Sequence, residues 1–436
     1  MNLPQDFTER IRNILKDEYS DFIKCYESEG NRALRVNTLK GSIDYFLNTQ
    51  PWGLSQKDNV PWCKEGFYFL EPEIGTHPFH AAGAYYIQEP SAMIPVEKLD
   101  VKPGHKVLDM CASPGGKSTQ IASKLENKGL LVCNEINSQR AAVLSENIER
   151  MGVANALVIS HEPSLISERF PEFFDRVLVD SPCSGEGMFR KNPEAVEMWS
   201  VQNVRMCAER SGDILYHASL TLKPGGLLVY STCTFAPEED EECIEGFIKD
   251  NPGFELLLMD KAWPHKIKGE GHFYALIKKT IGQDSVKKIK TVKGISQKNI
   301  GDFFDFQKEN LKADTRNLFK DAETIYTLFG SELYALREDA PDLKGLKVLR
   351  PGLHLGTLKK NRFEPSFAFS HFLKKEDVYN FTDIDIDTAR SYIKGNTFPS
   401  DENKGYHLIL TGGYSLSWGK QSDGIMKNHY PKGLRR

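Results

Sequence analysis

The sequence predicts an α/β protein whose main domain is a parallel sheet covered by helices on both faces. Three observations predict it. Between residues 99 and 280, short apolar runs alternate with helical segments, as strands buried on both faces do. The ends of those runs carry acids or a thiol, namely Asp109, Glu135, Asp180 and Cys233. Ligands of such sheets bind beyond the carboxyl ends of the strands, so this rim is where a site is expected. The chain has 436 residues, 40% hydrophobic and 27% charged, an ordinary globular composition. That length suggests about two to four domains.

Residues 1–98 mix short helical and extended patterns. Within them R-A-L-R-V-N-T-L-K (32–40) reads as a half-buried edge strand, polar residues alternating around Leu34, Val36 and Leu39. H-P-F-H-A-A-G-A-Y-Y-I-Q-E-P-S-A (77–92) is the second marked stretch. The core, 99–280, opens with the strand K-V-L-D-M (106–110), a Gly/Pro loop and a helix over about 117–127. A strand at 129–135 and a helix at 138–152 follow, the helix stopped by Gly152. Further strands are read at 156–160, 175–180 and 226–233. Residues 281–299 are polar and lysine-rich, a linker. Residues 300–436 are mixed α/β, ending at 405–420 in two strand-like runs around Gly412-Gly413 that suit a small β-barrel.

Composition narrows the function classes. Mean hydropathy is -0.45, and no apolar run approaches the roughly 18 residues of a membrane span. Met1 to Arg12 are of mixed charge, so no secretory leader is expected. The 8 cysteines form no C-x-x-C pair and show no zinc spacing, which points to reduced thiols in the cytoplasm. Net charge is -4, but residues 281–436 hold 26 Lys and Arg against 20 Asp and Glu. A basic tail on an acidic body points toward a polyanion partner.

L-D-M-C-A-S-P-G-G-K-S-T (108–119) is the sharpest local signal. Gly115 and Gly116 let the backbone approach a ligand, and the helix start offers free N–H groups to a carboxylate or phosphate. Three readings compete. A nucleoside triphosphate loop fits Gly116, Lys117 and Ser118, but Cys111 stands where its first glycine belongs. A structural turn is the second. The third is S-adenosylmethionine, whose carboxylate suits the helix start and whose ribose diol suits Glu135, an acid about 20 residues after the loop.

D-S-P-C-S-G-E-G (180–187) and S-T-C-T-F (231–235) each place a cysteine just past a strand, on the same rim. A lone cysteine is usually a small buried hydrophobe. Two on one rim suit a specific chemistry. Carbon 5 of cytosine is too electron-poor to attack a methyl sulfonium. A thiolate added at carbon 6 turns the ring into an enamine-like nucleophile at carbon 5. Asp180, beside the base, would hydrogen-bond the pyrimidine edge and steady the developing charge. Asp175, at the other end of the same strand, reads as surface.

These motifs resemble the Nop–Sun (Fmu/YebU) family of RNA 5-methylcytosine methyltransferases. The resemblance is carried by C-A-S-P-G-G-K (111–117), D-S-P-C-S-G (180–185) and S-T-C-T (231–234). N-E-I-N-S-Q-R (134–140) and W-P-H-K-I-K-G-E-G-H-F-Y-A (263–275) support it. Segments 83–92, 350–366 and 427–435 extend it over nearly the whole chain, toward the bacterial YebU branch that methylates small-subunit ribosomal RNA. The implied fold is a Rossmann-like S-adenosylmethionine-dependent methyltransferase core with an N-terminal α+β RNA-binding segment and a C-terminal PUA-like domain. The implied activity is methylation of carbon 5 of cytosine in 16S ribosomal RNA, through a covalent cysteine adduct at carbon 6. Ribosomal RNA or the small subunit would be the partner.

Residue by residue, Cys233 matches the family's nucleophile and Cys183 the cysteine that assists product release. Asp180 matches the acid contacting cytosine. Ala112, Ser113, Pro114, Gly115 and Lys117 match the cofactor loop, Glu135 the ribose acid and Arg140 the arginine after it. One departure stands out: the family usually carries Asp near the adenine after the third strand, where V-I-S-H-E-P places Glu162.

Two other classes compete with this reading. A non-catalytic RNA-binding factor would not need Asp180, Cys183 and Cys233 together. A DNA cytosine methyltransferase would use the thiol after the proline and leave Cys233 idle. In the tail, Lys359, Lys360 and Arg362 read as a solvated face or a phosphate contact, and Trp418 as core.

Overall fold

The structure, a computed structural model, describes residues 3–282 and 289–435. Residues 283–288 of the expected linker lie outside the described residues. The central sheet has eight strands: β1 (Lys106–Asp109), β2 (Leu130–Asn134), β3 (Ala156–Ile159), β4 (Phe174–Asp180), β5 (Leu222–Thr232), β6 (Phe254–Ala262), β7 (His272–Lys279) and β8 (Val348–Arg350). Their order is β6-β7-β5-β4-β1-β2-β3-β8. Strands β1 to β5 are parallel, whereas β6, β7 and β8 run antiparallel to their neighbours. The expected all-parallel sheet is therefore a mixed one. The short 263–271 connection needs no crossover helix, because antiparallel strands join directly.

Successive residues of a strand point to opposite faces, and the apolar runs exploit this. Val107, Leu131, Val158 and Leu178 face α1 (Gly116–Leu125) and α2 (Ser138–Arg150), packing on Ile121, Leu125, Leu144 and Ile148. Leu108, Val132, Val177 and Val179 face the other way. They meet α3 (Pro163–Arg169), α4 (Val201–Leu220) and α5 (Glu241–Asp250) through Ile166, Leu215 and Ile244. From β1 the chain steps outward through β2 and β3, then crosses back to place β4 on the other side of β1. That reversal opens a crevice above the ends of β1 and β4.

The segment before this sheet has its own four strands, ordered Asn59–Val60, Cys63–Tyr68, Ala33–Val36 and Tyr85–Ile87. Ala33–Val36 is an interior strand paired on both sides, not the half-buried edge strand the sequence suggests. The alternation misleads because Arg35 is itself buried, 1% exposed. Its guanidinium donates to Gly116 O at 2.9 Å and Thr119 Oγ1 at 2.8 Å, and also to Gln88 Oε1. One arginine thus ties the N-terminal segment to the first turn of α1. Arg35→Met should destabilise the protein by about 3 kcal/mol, since charged hydrogen bonds are lost and buried acceptors left bare. A lowered melting temperature in calorimetry checks this.

The C-terminal region forms two sheets. One contains Thr324–Phe329, Glu332–Arg337, Leu353–Lys359 and Arg362–Pro365. The other has five strands, including the expected hairpin Gly405–Thr411 and Tyr414–Ser422. Its turn needs positive φ twice, supplied by Gly412 (54°) and Gly413 (76°). Trp418 is core, 2% exposed, its Nε1 donating to Ser366 O at 3.1 Å. Lys359, Lys360 and Arg362 are exposed, and Arg362 pairs with Glu364 at 2.7 Å. Residues just past 288 lie along the tail: Val292 N donates to Ala340 O and Ile295 N to Tyr326 O. β8 also belongs to the tail by sequence, yet it extends the central sheet. His161 helps to seat it, accepting from Lys347 N at 2.6 Å.

Candidate active site

The crevice floor is Asp109 at the end of β1, fully buried. Oδ2 accepts from Ser118 Oγ at 2.6 Å, whereas Oδ1 has no partner. Burial pushes this carboxyl up to about 7, opposed by the Ser118 hydrogen bond and reinforced by the Asp180 charge.

The loop from Cys111 to Lys117 is clamped by α2. Ser113 Oγ donates to Arg140 O at 3.0 Å, Arg140 Nη2 to Ser113 O at 3.1 Å, and Asn147 Nδ2 to Pro114 O at 2.9 Å. Ala112 N donates to Asn134 O at 2.9 Å, which pins the loop to the end of β2. Gly115 takes φ 109°, a left-handed conformation in which a side chain is strained. It caps α1 with no side-chain hydrogen bond, so the first N–H groups of that helix remain for a ligand.

Glu135, 4% exposed, follows β2; Oε1 accepts from Asn137 N at 2.9 Å and Arg140 lies 3.5 Å from Oε2. Glu162 stands at the start of α3, exposed, and no hydrogen bond joins it to the network described here.

At the crevice mouth, Asp180 is gripped from three elements. Lys117 Nζ, 10% exposed, lies 2.8 Å from Oδ2. Ser231 Oγ donates to Oδ1 at 2.8 Å, and His272 Nε2 is 3.5 Å from the same oxygen. Burial opposes ionisation of Asp180, but Lys117 and His272 overcome it and hold the carboxyl well below its ordinary value. Lys117→Met should remove the main opposing charge and raise that carboxyl. Activity requiring the carboxylate should then fall at least tenfold, with its acid limb moved to higher pH. A pH–rate profile of the variant checks both the size and the direction.

Cys183 Sγ and Cys233 Sγ lie 3.4 Å apart, both partly exposed, on the loops after β4 and β5. Their loops are locked together. Ser184 N donates to Glu239 Oε2 at 2.8 Å, Ser184 Oγ meets Thr234 Oγ1 at 2.8 Å, and Gly187 N donates to Cys233 O at 2.8 Å. Glu186, 2% exposed, accepts from Trp199 Nε1 and Phe235 N, each at 2.9 Å. The Cys183 thiol sits well above its ordinary value, through its hydrogen bond with Cys233 and then its burial. Cys183 therefore holds its proton more tightly than an ordinary thiol.

The structure pairs Lys117 with Asp180 and Cys183 with Cys233 at the adjacent ends of β4 and β5, with Ala112 to Gly115, Glu135 and Arg140 past the ends of β1 and β2. Sequence reasoning missed Ser231, His272, Glu239 and Arg35. Ser231 and His272 lie inside quoted motifs, but nothing in their spacing marks a side chain aimed at Asp180. A cleft of about 720 Å³ elsewhere, between α2 and Arg390 and Lys394 of the tail, holds none of these residues.

Four family profiles match along the chain. They are the N-terminal domain of 16S rRNA methyltransferase RsmF (3–90), 16S rRNA methyltransferase RsmB/F (96–278), the RsmF first C-terminal domain (305–373) and the RsmF PUA domain (379–436). Ribosomal RNA small subunit methyltransferase F of Vibrio vulnificus is 34% identical over 475 residues, covering 100% of this chain and 98% of that protein. Its namesake from Pectobacterium carotovorum is 38% identical over 306 residues, 64% of this chain and 63% of that one. A methyltransferase homologue from Pyrococcus horikoshii superposes with TM-score 0.54 at 32% identity, over 60% of this chain and 90% of that one. NSun6 from the same organism, solved with SFG, shares the fold at 22% identity, TM-score 0.57, over 64% and 98% of the two chains. A full-length likeness at this identity, with the four profiles in order, shows that the chain belongs to the 16S rRNA methyltransferase RsmB/F family.

Proposed function

We propose that the protein methylates carbon 5 of a cytosine in 16S ribosomal RNA through a covalent bond from Cys233 to carbon 6. The observation that carries this reading is the pair of thiols 3.4 Å apart on the rim that also bears the ionised Asp180. No triphosphate or hydride chemistry calls for two such thiols.

The methyl donor is S-adenosylmethionine, and the crevice suits it. The uncapped start of α1 suits its carboxylate, and the unpartnered Oδ1 of Asp109 suits a cationic group. Glu135 would take the ribose hydroxyls, with the Ala112–Gly115 backbone and Arg140 framing the loop. When bound, it supplies an electrophilic methyl group on sulfur. Glu135→Ala should weaken its binding roughly tenfold to a hundredfold, the value of a hydrogen bond to a charged group. Isothermal titration checks this.

The chain's own residues do the rest. Cys233, as thiolate, adds to carbon 6 and pushes an electron pair toward carbon 5. Asp180, held by Lys117 and Ser231, accepts from the exocyclic amine and fixes the ring. After transfer, Cys183 gives up its own proton to solvent and, as thiolate, takes the carbon 5 proton. The electron pair left behind re-forms the ring double bond and expels the Cys233 thiolate. The target base must leave its stack to meet both sulfurs.

The N-terminal segment and the basic tail are read as RNA-contacting, and cytoplasmic ribosomal RNA sets the location. Among the described residues no helix is long and apolar enough to cross a membrane. Bisulfite sequencing of 16S ribosomal RNA from cells with and without the gene tests the reaction. A cytosine protected only when the gene is present supports it. Full conversion in both overturns it.

A further inference from the structure

His272 opens β7 and is 2% exposed. The register pairs Phe273 with Thr232, which sets His272 beside the end of β5 that leads to Cys233. Its Nε2 has no hydrogen-bond partner of normal length, and Asp180 Oδ1 lies 3.5 Å from it. A buried imidazole nitrogen left this way costs about 1–3 kcal/mol, so its retention at this spot calls for a reason. Catalytic hydrogen bonds are often long before substrate binds and shorten in the complex.

We propose that His272 is a positioning residue for the target base: its Nε2–H, with Ser231 Oγ, holds Oδ1 of Asp180 while Lys117 holds Oδ2. This rests on the reading of Asp180 given under the proposed function. Three groups from three elements then fix the plane of one carboxylate. The pyrimidine edge meets an acceptor that has no freedom to turn away. The charges facing the imidazole are consistent with a neutral ring. Burial and then Lys117 on α1 hold it below its ordinary value, against the pull of Asp180 on β4 and of Glu89 from the N-terminal segment. A neutral ring in the Nε2–H tautomer is a donor to the carboxylate, and the Nδ1–H tautomer is not.

The test compares His272→Phe with His272→Gln in the full chain. It follows methyl transfer from labelled S-adenosylmethionine to 16S ribosomal RNA, whatever atom receives the label. Phenylalanine keeps a flat ring and has no donor; glutamine places an amide N–H near the position of Nε2. The phenylalanine variant should lose about tenfold in kcat, with KM for RNA and melting temperature close to wild type. Glutamine should restore most of the loss. A crystal structure of the phenylalanine variant should show the Asp180 carboxylate rotated from its present plane. Wild-type kcat in the phenylalanine variant, or glutamine no better than phenylalanine, would overturn the proposal. So would a loss matched by a lowered melting temperature with Asp180 unmoved. Label at an atom other than carbon 5 contradicts the proposed reaction and leaves this comparison readable.

Discussion

Cys233→Ala should abolish methyl transfer and leave no covalent RNA complex. The loss should be roughly 10⁴-fold or more, the scale on which enzymes respond to removal of a covalent nucleophile. No other group replaces it. Cys183, 3.4 Å away, holds its proton more tightly than an ordinary thiol through its hydrogen bond with Cys233 and its burial, so it is a poor nucleophile where it stands. Binding should survive, because Cys233 lies past β5 while the uncapped start of α1 and Glu135 lie across the crevice. Labelled-methyl transfer and cofactor titration on the same preparation separate the two effects. Retained methylation would remove covalent catalysis from Cys233.

Cys183→Ala should fail differently. Attack at carbon 6 and methyl transfer need only Cys233 and Asp180, so both should proceed. Release needs the carbon 5 proton removed, and without Cys183 the enzyme should stall as a protein–RNA adduct that survives denaturing gel electrophoresis. Multiple turnover should fall at least a hundredfold, while a single methyl per enzyme is still transferred. The difference between the two variants is what the proposed roles of the two thiols require. Both sulfurs lie on one rim, but they arrive on separate loops held in register by Ser184, Thr234 and Glu239.

Much of this site is legible in the sequence because its parts are local. The strand, glycine loop and helix of 106–125 are contiguous, and each cysteine follows a strand by one to three residues. The hairpin at Gly412-Gly413 is legible for the same reason, since positive φ twice in a row is a local demand. What stays hidden is long-range pairing. Arg35 reads as a solvent-facing residue of an edge strand because nothing nearby reveals Gly116 and Thr119 as its partners. β8 lies nearly 190 residues beyond β3 in the chain, yet it completes the sheet. Asp180 is legible as an acid at a strand end, but its charge state is not. That depends on Lys117, Ser231 and His272, which arrive from a helix and two strands.

The most direct test of covalent catalysis by Cys233 is peptide mass spectrometry of the adduct formed by Cys183→Ala with RNA and S-adenosylmethionine. The account predicts a methylated cytidine attached to the peptide that contains Cys233, and no attachment in Cys233→Ala treated in the same way. An adduct trapped in Cys233→Ala, with the nucleotide on the peptide containing Cys183, would contradict it and exchange the roles of the two thiols.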